Sequence, residues 1–236
     1  MLMGIPPGMA SLQRIYRHMA DSPVSFGDHM SEVYTEAKLA FTFIYDNNVW
    51  GSGSGIGSLA ETTLEYRYFL ETFIAKNNIS TIVDFGCGDW KFSRYIYWWG
   101  AEYTGYDTVD SVIQKNTELY STDTIRFLLS PKEFTEIQSA DLLIVKDVLQ
   151  HLPSHVVKEF LESVKGKFHY ILVTNSQYPA EDINKDIRIG QFRPLNLLLP
   201  PFAIQAELVC KCAIHCTSSN GETYSDLKHV LLLKNW

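Results

Sequence analysis

Ile82-Val83-Asp84-Phe85-Gly86-Cys87-Gly88-Asp89 decides how the rest of the chain is read. An apolar run ends on an acidic residue, and two glycines follow, two positions apart. Glycine adopts φ > 0 without a steric penalty and lets a ligand approach the main chain. The pattern predicts a buried strand over Thr81–Phe85, a glycine turn, and a helix over Lys91–Trp99 closed by Gly100. A helix there would aim its free N–H groups over the turn. That is the geometry of a nucleotide-type cofactor site at the carboxyl end of a parallel strand.

Outward from this turn, strands and helices alternate. Strands are expected at Tyr103–Tyr106, Thr124–Leu129, Asp141–Val145 and His169–Thr174. Helices are expected at Ser111–Tyr120, Pro131–Ile137 and Ser154–Val164. Regular alternation predicts a parallel sheet covered on both faces. Ala206–Cys216 and Lys228–Leu233, joined by a hairpin turn at Ser218–Gly221, predict two more strands, one antiparallel to the rest. The fold class is therefore α/β, a Rossmann-like, mostly parallel sheet of seven strands.

Upstream, residues 1–57 read as N-terminal helices and a Gly/Ser-rich lid, and residues 58–236 as the cofactor-binding domain. Leu12, Ile15, Tyr16 and Met19 fit one helical face, and Ser31–Tyr45 forms a clearer helix. Val49–Ser58 carries four glycines and Trp50, an aromatic that a plain linker does not need. A capping box of Ser58 and Glu61 predicts a helix over Leu59–Ala75. Arg67 on that helix is a candidate clamp for a cofactor carboxylate, or else a solvated surface arginine.

The net charge of −7 argues against a general nucleic-acid binder. No stretch approaches the roughly 18 apolar residues of a membrane span, and no secretory signal is legible, so a cytoplasmic setting is expected. Cys210, Cys212, His215 and Cys216 could suggest zinc, but parity places the three cysteines on one strand face, where buried thiols are expected. Asp147 with Asn175 is a weak magnesium pair lacking a third carboxylate, so no metal is expected.

Two further features share the edge of the sheet. Asp107 closes the second strand, 23 residues after Asp84, where a carboxylate can accept ribose hydroxyls. Lys146-Asp147-Val148-Leu149-Gln150-His151 follows the fourth strand. If that turn is helical, Asp147 and His151 share a face, and His151 is the leading general base, with Asp147 competing. Asn175 at the end of the fifth strand could orient an acceptor.

Asp84-Phe85-Gly86-Cys87-Gly88, Tyr106-Asp107 and Asp147-Val148-Leu149-Gln150-His151-Leu152 together resemble the class I S-adenosylmethionine-dependent methyltransferases, over roughly residues 60–175. The resemblance implies S-adenosyl-L-methionine as cofactor. It implies that Asp84, Gly86 and Gly88 border its methionine part, that Asp107 holds the ribose, and that Lys146 and Asp147 line the cleft beneath the sulfonium. Trp50 and Arg67 are similar to the lid and carboxylate contacts of some members. Trp90 stands where the family often has a third glycine, so a narrowed turn is expected; it also counts against a nicotinamide-dependent dehydrogenase. Leu129-Ser130 replaces the frequent acidic adenine contact.

The long segment 176–205 is expected to build the acceptor pocket. It offers Tyr178, Asp182, Asn184 and Asp186, then Arg188, Gln191, Phe192 and Arg193. This set suggests O-methylation of a small polar acceptor such as a sugar or glycan end. N-methylation of a protein or small amine, and a catalytically silent cofactor-binding module, stay open as alternatives.

Overall fold

A computed structural model describes residues 29–217 and 223–234. The expected helical face of Leu12–Met19 and the hairpin turn at Ser218–Gly221 lie outside the described residues. Seven strands are present: β1 Thr81–Phe85, β2 Glu102–Asp107, β3 Ile125–Leu129, β4 Ala140–Lys146, β5 Phe168–Ser176, β6 Glu207–Thr217 and β7 Thr223–Lys234. They form one sheet in the order β3-β2-β1-β4-β5-β7-β6. β1 to β5 pair in parallel, and β7 runs antiparallel to both β5 and β6. The strand order reverses between β1 and β4, the place where open α/β sheets bind ligands.

Among the described residues, four α-helices flank the sheet: α1 His29–Asp46, α2 Leu64–Lys76, α3 Asp110–Tyr120 and α4 Ser154–Ser163. Alternation along each strand divides the core in two. Val83, Phe85, Leu143 and Val145 pack with Met30 and Val33 of α1 and with Val156 and Phe160 of α4. Ile82, Leu142 and Ile144 pack on the other face with Tyr66, Leu70 and Ile74 of α2 and with Ile113 of α3. Central strands buried on both faces explain the nearly continuous apolar runs in the sequence. Each such aliphatic side chain contributes about 1.5–3 kcal/mol on burial.

Three expected helices differ. The Leu59–Ala75 helix starts only at Leu64, and no Ser58–Glu61 capping box forms. Instead the Thr63 hydroxyl donates to the Leu59 carbonyl at 2.7 Å, and that of Thr62 to the Ile56 carbonyl at 2.6 Å. Pro131–Ile137 yields a single 3-10 turn at Phe134–Glu136. The Lys91–Trp99 helix is likewise reduced to one 3-10 turn, Ser93–Tyr95. Aromatic side chains lose rotamer freedom in a helix. Here the large ones fill the helix's place on the sheet: Trp90 stacks with Trp98 and meets Tyr103 and Phe127.

Candidate active site

One cavity of about 390 Å³ opens at the carboxyl ends of β1, β2 and β4, within the range of small-molecule sites. Its floor is the glycine turn. The N–H groups of Gly86 and Cys87 both donate to the Tyr106 carbonyl, at 2.8 and 2.9 Å, which folds the chain back over β2. Gly86 has φ 77 and Gly88 φ 59. A Cβ on Gly86 would lie 2.3 Å from a methyl of Val148, so that position has room for glycine alone.

Asp107 is buried beside this turn. One carboxylate oxygen accepts the Gly88 N–H at 3.0 Å, and the other accepts the Val109 N–H at 3.1 Å. Burial pushes its carboxyl up to about 6, against the backbone N–H groups of Val109, Gly88 and Thr108. Asp84 is also pushed up to about 6 by burial; the Tyr103 hydroxyl, donating at 2.6 Å, and the Lys146 ammonium pull the other way. The Trp90 indole N–H in turn donates to the Tyr103 oxygen at 3.0 Å. Trp90 therefore does not narrow the turn. With φ 55 it swings its ring into the core and orients the hydroxyl that serves Asp84.

The end of β4 is built differently. Asp147 sits at φ 59, so the helical turn expected to align it with His151 does not form. Its carboxylate lies between two ammoniums, Lys146 at 2.6 Å and Lys228 at 2.8 Å. Lys228 also bonds the Ser176 hydroxyl at 2.6 Å and Asp226 at 3.0 Å, and Lys146 donates to the Gly57 carbonyl at 2.8 Å. Burial would raise the Asp147 carboxyl, but the two flanking lysines hold it well below the usual range. Asp147 is thus a permanent anion and a poor proton acceptor, which removes it as a competing base. Both its oxygens face ammoniums, and among the described residues no three His, Cys, Asp or Glu side chains gather in metal-binding fashion. Ser176, not Asn175, reaches the cavity wall.

His151 lies in a 3-10 turn, Leu149–His151. Its Nδ1 faces the Gln191 carbonyl at 2.9 Å, which fixes a proton on Nδ1 and leaves the lone pair on Nε2. Burial pushes the imidazole down to about 4, against that hydrogen bond. The ring packs against Trp50 with centroids 5.1 Å apart, and against Phe192 at 5.9 Å.

The Gly/Ser segment lines the cavity through Ser54–Ser58. Ser54 exchanges hydrogen bonds with Asp89, its N–H to the carboxylate at 3.2 Å and the Asp89 N–H to its hydroxyl at 2.9 Å. Tyr45 of α1 bonds the same hydroxyl at 2.6 Å, and Lys91 donates to the Ser52 carbonyl at 2.6 Å. Trp50 lines the cavity; Arg67 does not. The Arg67 guanidinium donates to the Ala60 carbonyl at 3.0 Å and lies over the Tyr95 ring, so it anchors a loop.

Most polar residues of segment 176–205 are spent on contacts within the protein. Asn184 donates to the Asn196 and Pro200 carbonyls, Asp186 accepts the Ser154 N–H at the start of α4, and Asp182 pairs with Lys185. Arg193 is buried and donates to the Leu152 carbonyl. Phe192, with Ser176 at the start of the segment, lines the cavity. Sequence reasoning missed Lys228 and Asp226. Their signal was available: two charged residues, two apart, entering a strand that is otherwise Val230-Leu231-Leu232-Leu233.

In sequence, no family model and no curated protein matches this chain. Among solved structures, it is similar to the methyltransferase domain of bacterial CtHen1 (TM-score 0.51, 14% identity, 73% of this chain and 100% of that one). It is similar to the N-methyltransferase NodS of Bradyrhizobium japonicum, solved with S-adenosyl-L-homocysteine (TM-score 0.50, 11% identity, 71% and 85%). It is also similar to TehB of Haemophilus influenzae (TM-score 0.51, 15% identity, 71% and 62%). The chain has the class I S-adenosylmethionine-dependent methyltransferase fold. No helix among the described residues is long and apolar enough to cross a membrane.

Proposed function

We propose that the cavity holds S-adenosyl-L-methionine and that the chain is a methyltransferase acting on an oxygen nucleophile. The observation that carries this is Asp107, a buried carboxylate pinned beside the Gly86–Gly88 turn. Its burial outruns its backbone amide donors, which suits hydroxyl donors from a ribose. The residues present fit the cofactor in other ways. Thr108 Oγ1 and Trp98 Nε1, both from residues of the wall, are buried without a hydrogen-bond partner. Asp84 is an underpaired carboxylate beside a turn where a cationic amine can approach. Ser130 and Pro131 contribute to the wall where an adenine contact is expected.

The bound cofactor supplies an electrophilic methyl group. The chain supplies position, which accounts for most of the barrier reduction in such a transfer. Asp107, Gly86 and Gly88 hold one reactant, and Trp50 and the strapped Gly/Ser segment cover it as a lid. His151, neutral at working pH, accepts the acceptor's proton at Nε2. Lys146, Asp147 and Lys228 keep the cavity floor rigid. The free thiols Cys87, Cys210 and Cys212 suit a reducing cytoplasm.

Calorimetric titration with S-adenosylhomocysteine tests the reading. Binding to the wild type is expected, with loss in Asp107→Ala and no response to NAD. Normal binding by Asp107→Ala would remove the ribose assignment. His151→Ala is expected to bind S-adenosylhomocysteine normally and to lose about 10²–10⁴-fold in turnover. Binding in the wild type without transfer to any acceptor would leave a silent cofactor-binding module.

A further inference from the structure

The acceptor's chemistry is written in the wall around His151. The ring is surrounded by aromatic side chains from three separate parts of the chain: Phe41 of α1, Trp50 of the Gly/Ser segment and Phe192 of the long loop. Phe41 and Tyr45 brace Trp50 from behind, at 6.2 and 5.8 Å. Phe192 is 42% exposed, so the aromatic wall reaches the cavity mouth.

The side-chain oxygens beside His151 are already engaged within the protein. The Gln191 side-chain oxygen accepts the Arg188 N–H, and the Gln150 side chain accepts the Ser176 N–H. The three donors of Lys228 go to Asp147, Ser176 and Asp226. Sugar hydroxyls laid against the faces of Phe41, Trp50 and Phe192 would find no partner in those rings, which is costly. A flat aromatic ring would meet π-faces at offset and edge-on distances, an arrangement worth more than its area alone.

Resting on the cofactor reading above, we propose that the methyl acceptor is a phenol: a planar aromatic ring against Trp50 and Phe192, its hydroxyl directed at Nε2 of His151. The acceptor oxygen gives up its proton to Nε2 and forms the new C–O bond, while the C–S bond breaks with its electron pair going to sulfur. The products are an aryl methyl ether, a neutral thioether and a proton, which the imidazolium returns to water. Hydroxyl acidity favours the same class. Burial holds the imidazole at about 4, so it is a weak base. A phenol, with a pKa near 10, is within its reach as the C–O bond forms, and a sugar hydroxyl is far less acidic. A neutral imidazole also avoids placing a second cation beside a sulfonium.

Labelled-methyl transfer to phenol, catechol and 2-naphthol, compared with cyclohexanol, decahydro-2-naphthol and methyl glucoside, tests the proposal. The phenols are expected to be labelled, with kcat/KM for 2-naphthol at least about 100-fold above its saturated analogue. Phe192→Ala is expected to raise KM for 2-naphthol about tenfold and to leave S-adenosylhomocysteine affinity within about twofold. Labelling of the saturated alcohols or the glucoside as fast as the phenols overturns the proposal. So does S-adenosylhomocysteine binding with no labelled phenol, an outcome that leaves the cofactor reading standing. Absence of S-adenosylhomocysteine binding overturns both.

Discussion

Asp84 and Asp147 end neighbouring parallel strands and face the same cavity, yet their surroundings are opposite. Asp84 is buried with one donated hydroxyl at 2.6 Å, and burial pushes it up to about 6. Asp147 is buried between two ammoniums, which hold it far below the carboxylate range. Burial raises both; the number of cations decides the outcome. A scaffold charge is fully paired inside the protein. Asp84, which the proposed function assigns to the ligand, has one side-chain donor, and the fold bears the cost of its burial. The same contrast separates the fully bonded Lys228 from Asp107, whose backbone amide donors do not offset its burial.

The largest test breaks the paired side. Lys228→Met withdraws an ammonium from two buried carboxylates, Asp147 and Asp226. Removing one partner of a buried ion pair typically costs about 3–5 kcal/mol. Urea denaturation should show a loss of that size, and a loss below about 1 kcal/mol would mean that the network contributes little. The unpaired side should respond with the opposite sign. An acid whose folded pKa is raised above its unfolded value destabilises the fold above that pKa. At pH 7 the rise of Asp84 from 3.8 to about 6 corresponds to about 3 kcal/mol. Asp84→Asn should therefore raise stability at pH 7 while weakening S-adenosylhomocysteine about 10–100-fold, the value of a hydrogen bond to a charged group. Equal destabilisation by Asp84→Asn and Asp147→Asn would erase the distinction.

Acidity probes the ligand-facing pair directly. Ligand donors favour the ionised forms of Asp84 and Asp107, both near 6 in the free protein. S-adenosylhomocysteine affinity should hold above pH 7 and fall through pH 6, approaching a tenfold loss per unit for each group. His151 is held near 4 and Asp147 lower still, so neither titrates in that window. Affinity unchanged between pH 7 and 5 would show that neither carboxylate serves the ligand.

The unpaired side was the more legible one. Asp84, Gly86, Gly88 and Asp107 lie within 24 residues, and their places around the turn follow from strand ends and glycine φ values that local sequence signals directly. The paired side joins Lys146 and Asp147 to Asp226 and Lys228, about 80 residues away, through a register between β5 and β7 that no local pattern sets. Asp147 also takes a left-handed conformation, which undid the expected helical alignment with His151. The helix expected over Lys91–Trp99 failed for a related reason. Its apolar residues recur at helical spacing, but they are large aromatics, and packing on the sheet won over local periodicity. The long loop misled because its polar residues look like ligand contacts until Asn184 and Asp186 are seen bonding the backbone.

The smallest expected effect refines the account of Asp84. The Trp90 indole N–H occupies the Tyr103 oxygen as donor, so the proton of that hydroxyl is committed to Asp84. Tyr103→Phe removes one hydrogen bond to a buried carboxylate and leaves the ring's packing with Trp90, Trp98 and Phe127 in place. Without that donor the carboxyl should protonate more readily, since a hydrogen bond to the charged form favours it. The pH midpoint of S-adenosylhomocysteine binding should move up by about one unit, equivalent to about 1.4 kcal/mol. Calorimetry across pH 5–8 reads it. A midpoint that stays in place would assign the pH dependence to Asp107 alone, and one that moves down would show that the hydroxyl opposes the charge on Asp84.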